Sequence, residues 1–189
     1  GNESGLGRET EWSVTPLQPD INKTVIAENK ILNISPTSKD LGSNELIEES
    51  KTIYWYPSEV DVSIRPGWFY HAEEDNQVKT LAQLVDIYFQ SVGMNSVLLL
   101  NVPPDKRGRL HEIDVDNLSQ FGDYISSTFN YDKLIDGEVE WKAKSGASKE
   151  FTVLEGQTIN TVMLQEDILK GQRVEEFTVE ELINDEWIT

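Results

Sequence analysis

The densest chemistry in the sequence is Tyr54-Trp55-Tyr56-Pro57-Ser58-Glu59-Val60-Asp61-Val62-Ser63-Ile64-Arg65-Pro66-Gly67-Trp68-Phe69-Tyr70-His71. Six of these eighteen residues are aromatic, and the stretch also holds Glu59 and Asp61 two apart, Arg65 and one of the two His. Aromatic rings beside carboxylates suit a sugar: a ring face stacks on C–H groups while carboxylates and a guanidinium hydrogen-bond hydroxyls. The same residues also fit an aromatic core strand with a surface ion pair, and taken alone they leave both readings open. A second stretch, Gly1-Asn2-Glu3-Ser4-Gly5 followed by Trp12, places a carboxylate among small residues, where it could act as a mobile general acid or lie solvated. In a third, 95–105, Asn101 sits near the C-terminal end of an otherwise apolar run that stops at Pro103-Pro104. That end of a strand faces the active site in β/α barrels, but for Asn101 the preferred expectation is a cap that holds the following loop. His71 and His111 lack the spacing of metal ligands. Neither a GxGxxG motif nor a P-loop is present.

The elements that must position these residues change character along the chain. Residues 1–50 are rich in turn formers and read as irregular. Thr52 to Ile64 is β-branched and aromatic, with Pro57 inside it, so a strand is expected to end near Tyr56 and a loop to follow. Apolar residues at 78, 81, 84, 85, 88, 89 and 92 give a helical spacing, with Gly93 as the expected residue past its end. The run at 97–102 reads as a parallel strand buried on both faces. A second helix is expected over 114–129, with Leu118, Phe121, Tyr124, Ile125 and Phe129 on one side. The middle is thus β-loop-α-β-α, the order of an α/β fold.

From about residue 136 the period becomes two. Strands are expected over 138–144, 149–154, 158–165 and 172–180, punctuated by Gly146, Gly156 and Gly171, in an antiparallel β-sandwich. The end, Glu186-Trp187-Ile188-Thr189, also reads as strand, as though the sheet continued. So few parallel strands bury both faces poorly, and the expectation is an internal slice of a larger enzyme: 1–135 an α/β portion with a parallel sheet, 136–189 the start of a sandwich, incomplete at both ends.

Composition narrows the partners. The 189 residues carry 16 Lys and Arg against 34 Asp and Glu, a formal net charge of −18. Such a chain lacks the cations that displace counterions from nucleic acid, and an anionic membrane surface is disfavoured likewise. No apolar run is long enough to span a bilayer, and no signal peptide is visible at the start. The absence of Cys excludes disulfides, thiolate metal sites and thiol nucleophiles within this sequence.

Two blocks carry a resemblance: Trp55-x-Pro57-x-Glu59-x-Asp61-Val62-Ser63-Ile64-Arg65-Pro66-Gly67-Trp68-Phe69, and Leu98-Leu99-Leu100-Asn101-Val102-Pro103-Pro104-Asp105-x-x-Gly108. They resemble the α-L-fucosidases of glycoside hydrolase family 29, nearest the branch that acts on α-1,3/1,4-linked fucose. The likeness runs over about residues 1–180. It implies a (β/α)8 barrel followed by a β-sandwich, with barrel strands ending at Gly1-Asn2-Glu3, near Tyr56 and at Val102. It further implies retaining exo-hydrolysis of fucosylated oligosaccharides without metal or cofactor, in an extracytoplasmic (periplasmic or secreted) setting. On this alignment Glu3 is the acid/base, with Glu59 its rival, and the Asp nucleophile lies upstream of Glu3 and outside this sequence. Trp55, Glu59, Asp61, Arg65, Trp68 and Phe69 shape the subsites, with Phe69 against the fucose methyl. The isolated 189 residues are then expected to be inactive. The alternative is a non-catalytic carbohydrate-binding or structural fragment.

Overall fold

The computed structural model describes residues 14–15, 25–27, 30–32, 48, 52–55, 57, 59–129, 140–167, 174 and 176–189. Its organising unit is a parallel pair of strands backed by two helices. Strand β5 (Glu59–Ser63) pairs in parallel with β6 (Val97–Asn101), in the register Glu59↔Val97, Asp61↔Leu99, Ser63↔Asn101. Between them run a 3₁₀ turn (Ala72–Gln77) and helix α1 (Leu81–Ser91); helix α2 (Glu112–Thr128) follows β6. This is the expected β-loop-α-β-α order. The remaining strands form three small antiparallel pairs: β1 (Val14–Thr15) with β4 (Tyr54–Trp55), β2 (Val25–Ala27) with β3 (Lys30–Leu32), and β7 (Glu181–Ile183) with β8 (Glu186–Ile188).

The strand that joins the parallel pair is not where the aromatic run suggested. Tyr54–Trp55 is a short antiparallel strand, Pro57 is buried between the two segments, and the parallel strand starts at Glu59. Proline withholds an amide from the ladder and separates the two. The Glu-Val-Asp-Val-Ser alternation, period two, is the signal that marks the real strand.

Helix α1 starts on a capping box. The Thr80 hydroxyl accepts from the Gln83 amide, and the Gln83 side chain accepts from the Thr80 amide at 2.9 Å. It ends later than Gly93 would suggest: a 3₁₀ turn over Val92–Met94 follows, and the left-handed residue that turns the chain is Asn95, at φ 59°. Asparagine tolerates that conformation because its short polar side chain bonds locally. Helix α2 is capped by His111, whose Nδ1 accepts from the Ile113 amide at 3.4 Å.

Leu84 at 1% exposure and Ile64 at 0% centre the core with Val78. Leu100, Val102, Leu118 and Phe121 pack against them. Tyr88, Phe89, Phe121 and Phe129 extend the cluster through edge-to-face and tilted ring contacts at 5.9–6.3 Å. The even-numbered side of the strand pair therefore faces the helices. The odd-numbered side does not: Val97 and Leu99 are 45% and 49% exposed. Strand β6 is thus covered on one face rather than the expected two.

Between residues 140 and 180 the described residues hold turns, a single bridge position at Val153 and otherwise no regular secondary structure, rather than the four expected strands. Positive-φ Gly146 and Gly156 mark two of the expected turns. The ladder that does form is the β7–β8 hairpin, closed by Asn184 and Asp185, both at positive φ, as a two-residue type I′ loop requires. Residues 138–139, 172–173 and 175 of the expected strands lie outside the described residues. Among the described residues no helix is long and apolar enough to cross a membrane.

Truncating the core centre tests this packing. Leu84→Ala should lower unfolding free energy by about 2–5 kcal/mol, read by urea denaturation. Val115→Ala, on the exposed side of α2, should change it by about 0.5 kcal/mol or less.

Candidate functional site

Strand β5 lays Glu59, Asp61 and Ser63 along its odd-numbered side, and register places Val97, Leu99 and Asn101 of β6 alongside. Asp61 is exposed and Glu59 half-buried. At the C-terminal ends of both strands the chain turns over the rim. There Trp68 and Phe69 stand 51% and 76% exposed. Trp55, on β4, is also exposed, at 72%. Glu3 lies outside the described residues.

The rim segment 66–71 is pinned from two sides. On the strand side, Ser63 Oγ donates to the Gly67 carbonyl at 2.7 Å. Asn101 Nδ2 donates to Ser63 Oγ at 3.0 Å and to the Trp68 carbonyl at 3.1 Å. On the helix side lies Arg65, with no exposed side-chain surface. Its Nε donates to Asp114 Oδ2 at 3.0 Å, and Asp114 is equally inaccessible. Its Nη1 donates to Asp75 Oδ1 at 3.0 Å and to the His71 carbonyl at 3.4 Å. The guanidinium also lies over the Tyr70 ring, 4.7 Å from its centroid. Burial works against the charged guanidinium, but hydrogen bonds to Asp114 and Asp75 outweigh it and hold Arg65 above its ordinary pKa. The Tyr70 hydroxyl is raised too, by burial and then by the Asp75 charge.

Beside this clamp, Tyr70, Ala72, Asp105, Lys106, Arg107, His111 and Glu112 line a hollow of about 260 Å³. Asp105, Arg107 and Glu112 serve one another. Arg107 Nε donates to Asp105 at 2.8 Å, and its Nη2 donates to Glu112 at 2.9 Å. The hydrogen bond from Arg107 holds Asp105 below the usual carboxylate range despite opposing desolvation. Glu112 is lowered by its own backbone amide at the helix start and by Arg107. The His111 ring stacks on Tyr70 at 5.6 Å and places Nε2 3.6 Å from Asp75.

Of the expected subsite residues, Glu59 and Asp61 share one strand face, and Trp68 and Phe69 share the rim above it. Arg65 sits beneath that rim, its guanidinium turned to Asp75 and Asp114. Asn101 holds the loop of the preceding strand, at Trp68, rather than the loop that follows it. Asp75 and Asp114 escaped the sequence reading. A signal for Asp114 exists: it lies four residues before Leu118 and seven before Phe121, on the apolar stripe of α2. A carboxylate on a buried stripe requires a buried partner.

The family model described as "Alpha-L-fucosidase" matches residues 3–129. The chain belongs to the α-L-fucosidase family. A solved "putative alpha-L-fucosidase" from Bacteroides ovatus is 49% identical to it and superimposes with a TM-score of 0.82, covering 100% of this chain and 32% of its own. "Putative alpha-L-fucosidase 1" of Oryza sativa subsp. japonica is 31% identical over 100% of this chain and 39% of its own length. "Alpha-L-fucosidase 1" of Arabidopsis thaliana is 39% identical over 69% of this chain and 22% of its own. The chain therefore spans between about a fifth and two fifths of the length of these relatives. Within this α-L-fucosidase family chain, the match takes in the whole parallel unit and the rim residues Trp68 and Phe69.

Two outcomes follow from the clamp and the hollow. Asp114→Ala leaves Arg65 buried without its main partner and should destabilise by about 3–5 kcal/mol in urea unfolding; removing Glu112, which is exposed, should leave the midpoint nearly unchanged. Asp105, lowered in the folded state, stabilises above its ordinary value of 3.8. That contribution is lost as pH falls through its lower folded value. The stability difference between wild type and Asp105→Asn should therefore be constant at neutral pH and shrink in the acid range. A difference that stayed constant to low pH would refute it.

Proposed function

We propose that this chain is the acid/base side of a retaining exo-α-L-fucosidase that cleaves α-1,3/1,4-linked fucose from fucosylated oligosaccharides. The observations that carry the reading are Glu59 and Asp61 on one face of β5 and, at the C-terminal end of the same strand, the exposed Trp68 and Phe69. Sugars are held by this combination, since carboxylates take hydroxyls and rings take the apolar face. Membership of the α-L-fucosidase family supports it.

In this reading residues 1–135 are the C-terminal portion of a (β/α)8 barrel, and 136–189 begin a β-sandwich. The parallel β5–β6 pair with its two helices supports the first assignment, because the carboxylates then sit on the strand side away from the helices, where a barrel keeps its interior. The Asp nucleophile comes from outside these 189 residues. Glu3 protonates the leaving oxygen, then as carboxylate draws a proton from water. Glu59 is the rival for that role and otherwise a subsite carboxylate with Asp61. Trp55 and Trp68 stack on sugar rings, and Phe69 lies against the fucose methyl. Arg65 serves from beneath, by holding the segment that bears both rim rings. Two carboxylates complete the chemistry, so neither metal nor organic cofactor is needed. The setting is extracytoplasmic.

The deciding experiment is chemical rescue in the protein at its full natural length. Glu3→Ala should lower turnover chiefly for poor leaving groups, because an activated aryl fucoside needs little protonation, and azide should restore rate. Glu59→Ala should raise KM for an oligosaccharide more than Glu3→Ala does. Rescue at Glu59 and not at Glu3 would reverse the two roles. Fucose binding by wild type without turnover would make this a carbohydrate-binding unit instead.

A further inference from the structure

Trp68 and Phe69 are both more than half exposed, and hydrogen bonds to their segment's backbone hold it in place. Asn101 Nδ2, 33 residues away in sequence, donates a hydrogen bond to the Trp68 carbonyl. Asn101 is itself anchored. Its backbone carbonyl accepts from the Ile64 amide at 2.9 Å, and its Nδ2 also reaches Ser63 Oγ. Ser63 completes the bracket by donating to Gly67 and accepting from the Arg65 amide at 3.3 Å. Two strand ends thus fix two successive carbonyls, those of Gly67 and Trp68. Fixing two successive peptide planes fixes where the following side chains project, because each peptide is rigid and only φ and ψ remain.

From this geometry we infer that Asn101, acting with Ser63, is the positioning residue that sets the Trp68 ring for sugar stacking. The inference rests on the fucosidase reading above and adds to it a residue that does not itself touch the sugar. A rigid ring binds more tightly than a mobile one, because less freedom is lost when ligand arrives. The Asn101 side-chain amide suits this role because it places a neutral donor beside a carbonyl. An aspartate of the same shape would present only acceptors there and would repel the Trp68 carbonyl.

The experiment is a double-mutant cycle in the protein at its full natural length, with 4-nitrophenyl α-L-fucoside as substrate and L-fucose as competing ligand. Asn101→Ala should lower kcat/KM by about tenfold, mostly through KM, and should weaken L-fucose inhibition to match. In a Trp68→Ala background the same change should lower kcat/KM by less than about twofold, because the ring it positions is gone. Asn101→Asp should behave like Asn101→Ala or worse, and Ser63→Ala should show a smaller effect of the same kind. If Asn101→Ala fails to fold, Asn101→Asp and Ser63→Ala carry the cycle. Equal losses in both backgrounds would overturn the inference and make Asn101 a general stabiliser of the rim. A loss confined to kcat would overturn it as well. Wild type that neither binds L-fucose nor cleaves the fucoside would instead overturn the fucosidase reading, and this inference with it.

Discussion

The constraint on which the described fold turns is the fully desolvated contact between Arg65 and Asp114. A guanidinium with no exposed surface cannot be left unpaired. The partner lies 49 residues on, in the first turn of α2. Meeting that requirement sets the rotation of α2 about its axis. With Asp114 turned to Arg65, Leu118 and Phe121 are turned to Ile64, Val78 and Leu84. The helix stripe and the ion pair are one arrangement, so neither can slide without disturbing the other.

The same guanidinium reaches the other way, to Asp75 and the His71 carbonyl. It thereby ties the rim segment to the helix layer while Ser63 and Asn101 tie it to the strands. Buried ion pairs are poor sources of net stability compared with well-packed apolar groups. Their directionality is what a site needs. Here Nη2 of Arg65 and Oδ1 of Asp114 are buried without hydrogen-bond partners among the described residues. Such a cluster is an inefficient way to stabilise a core but a rigid way to aim a loop, and the loop it aims carries two exposed aromatic rings.

Periodicity made the parallel unit legible in the sequence: the spacing from Val78 to Val92 and from Asp114 to Phe129 named both helices, and the apolar run named β6. The strand ahead of them was misplaced because aromatic and β-branched content at Tyr54–Tyr56 outweighed the shorter alternation at 59–63. The role of Asn101 was half legible. Its position at a strand end showed that it would hold a loop, but the loop it holds is distant in sequence, and only the register Ser63↔Asn101 brings them together. Arg65 was legible as important and not as buried, because sequence shows charge without showing its neighbours. The four strand positions expected after residue 136 rested on alternation, which specifies a pleated surface but not the partner strand that would complete a ladder.

Strand register joins these observations. In β5 the even positions Val60 and Val62 lie toward the helices, and the odd positions Glu59, Asp61 and Ser63 face the other way. A slip of one residue would exchange the two sets. It would push two carboxylates into the helix interface, where the guanidinium of Arg65 already serves Asp75 and Asp114. It would also part Ser63 from Asn101 and release the Gly67 and Trp68 carbonyls. Burial of the valines, solvation of the carboxylates and tethering of the rim therefore all select one register. A site built on that register inherits its precision from the core: the carboxylates and the aromatic rim stay in a fixed relation because both are read from the same two strands.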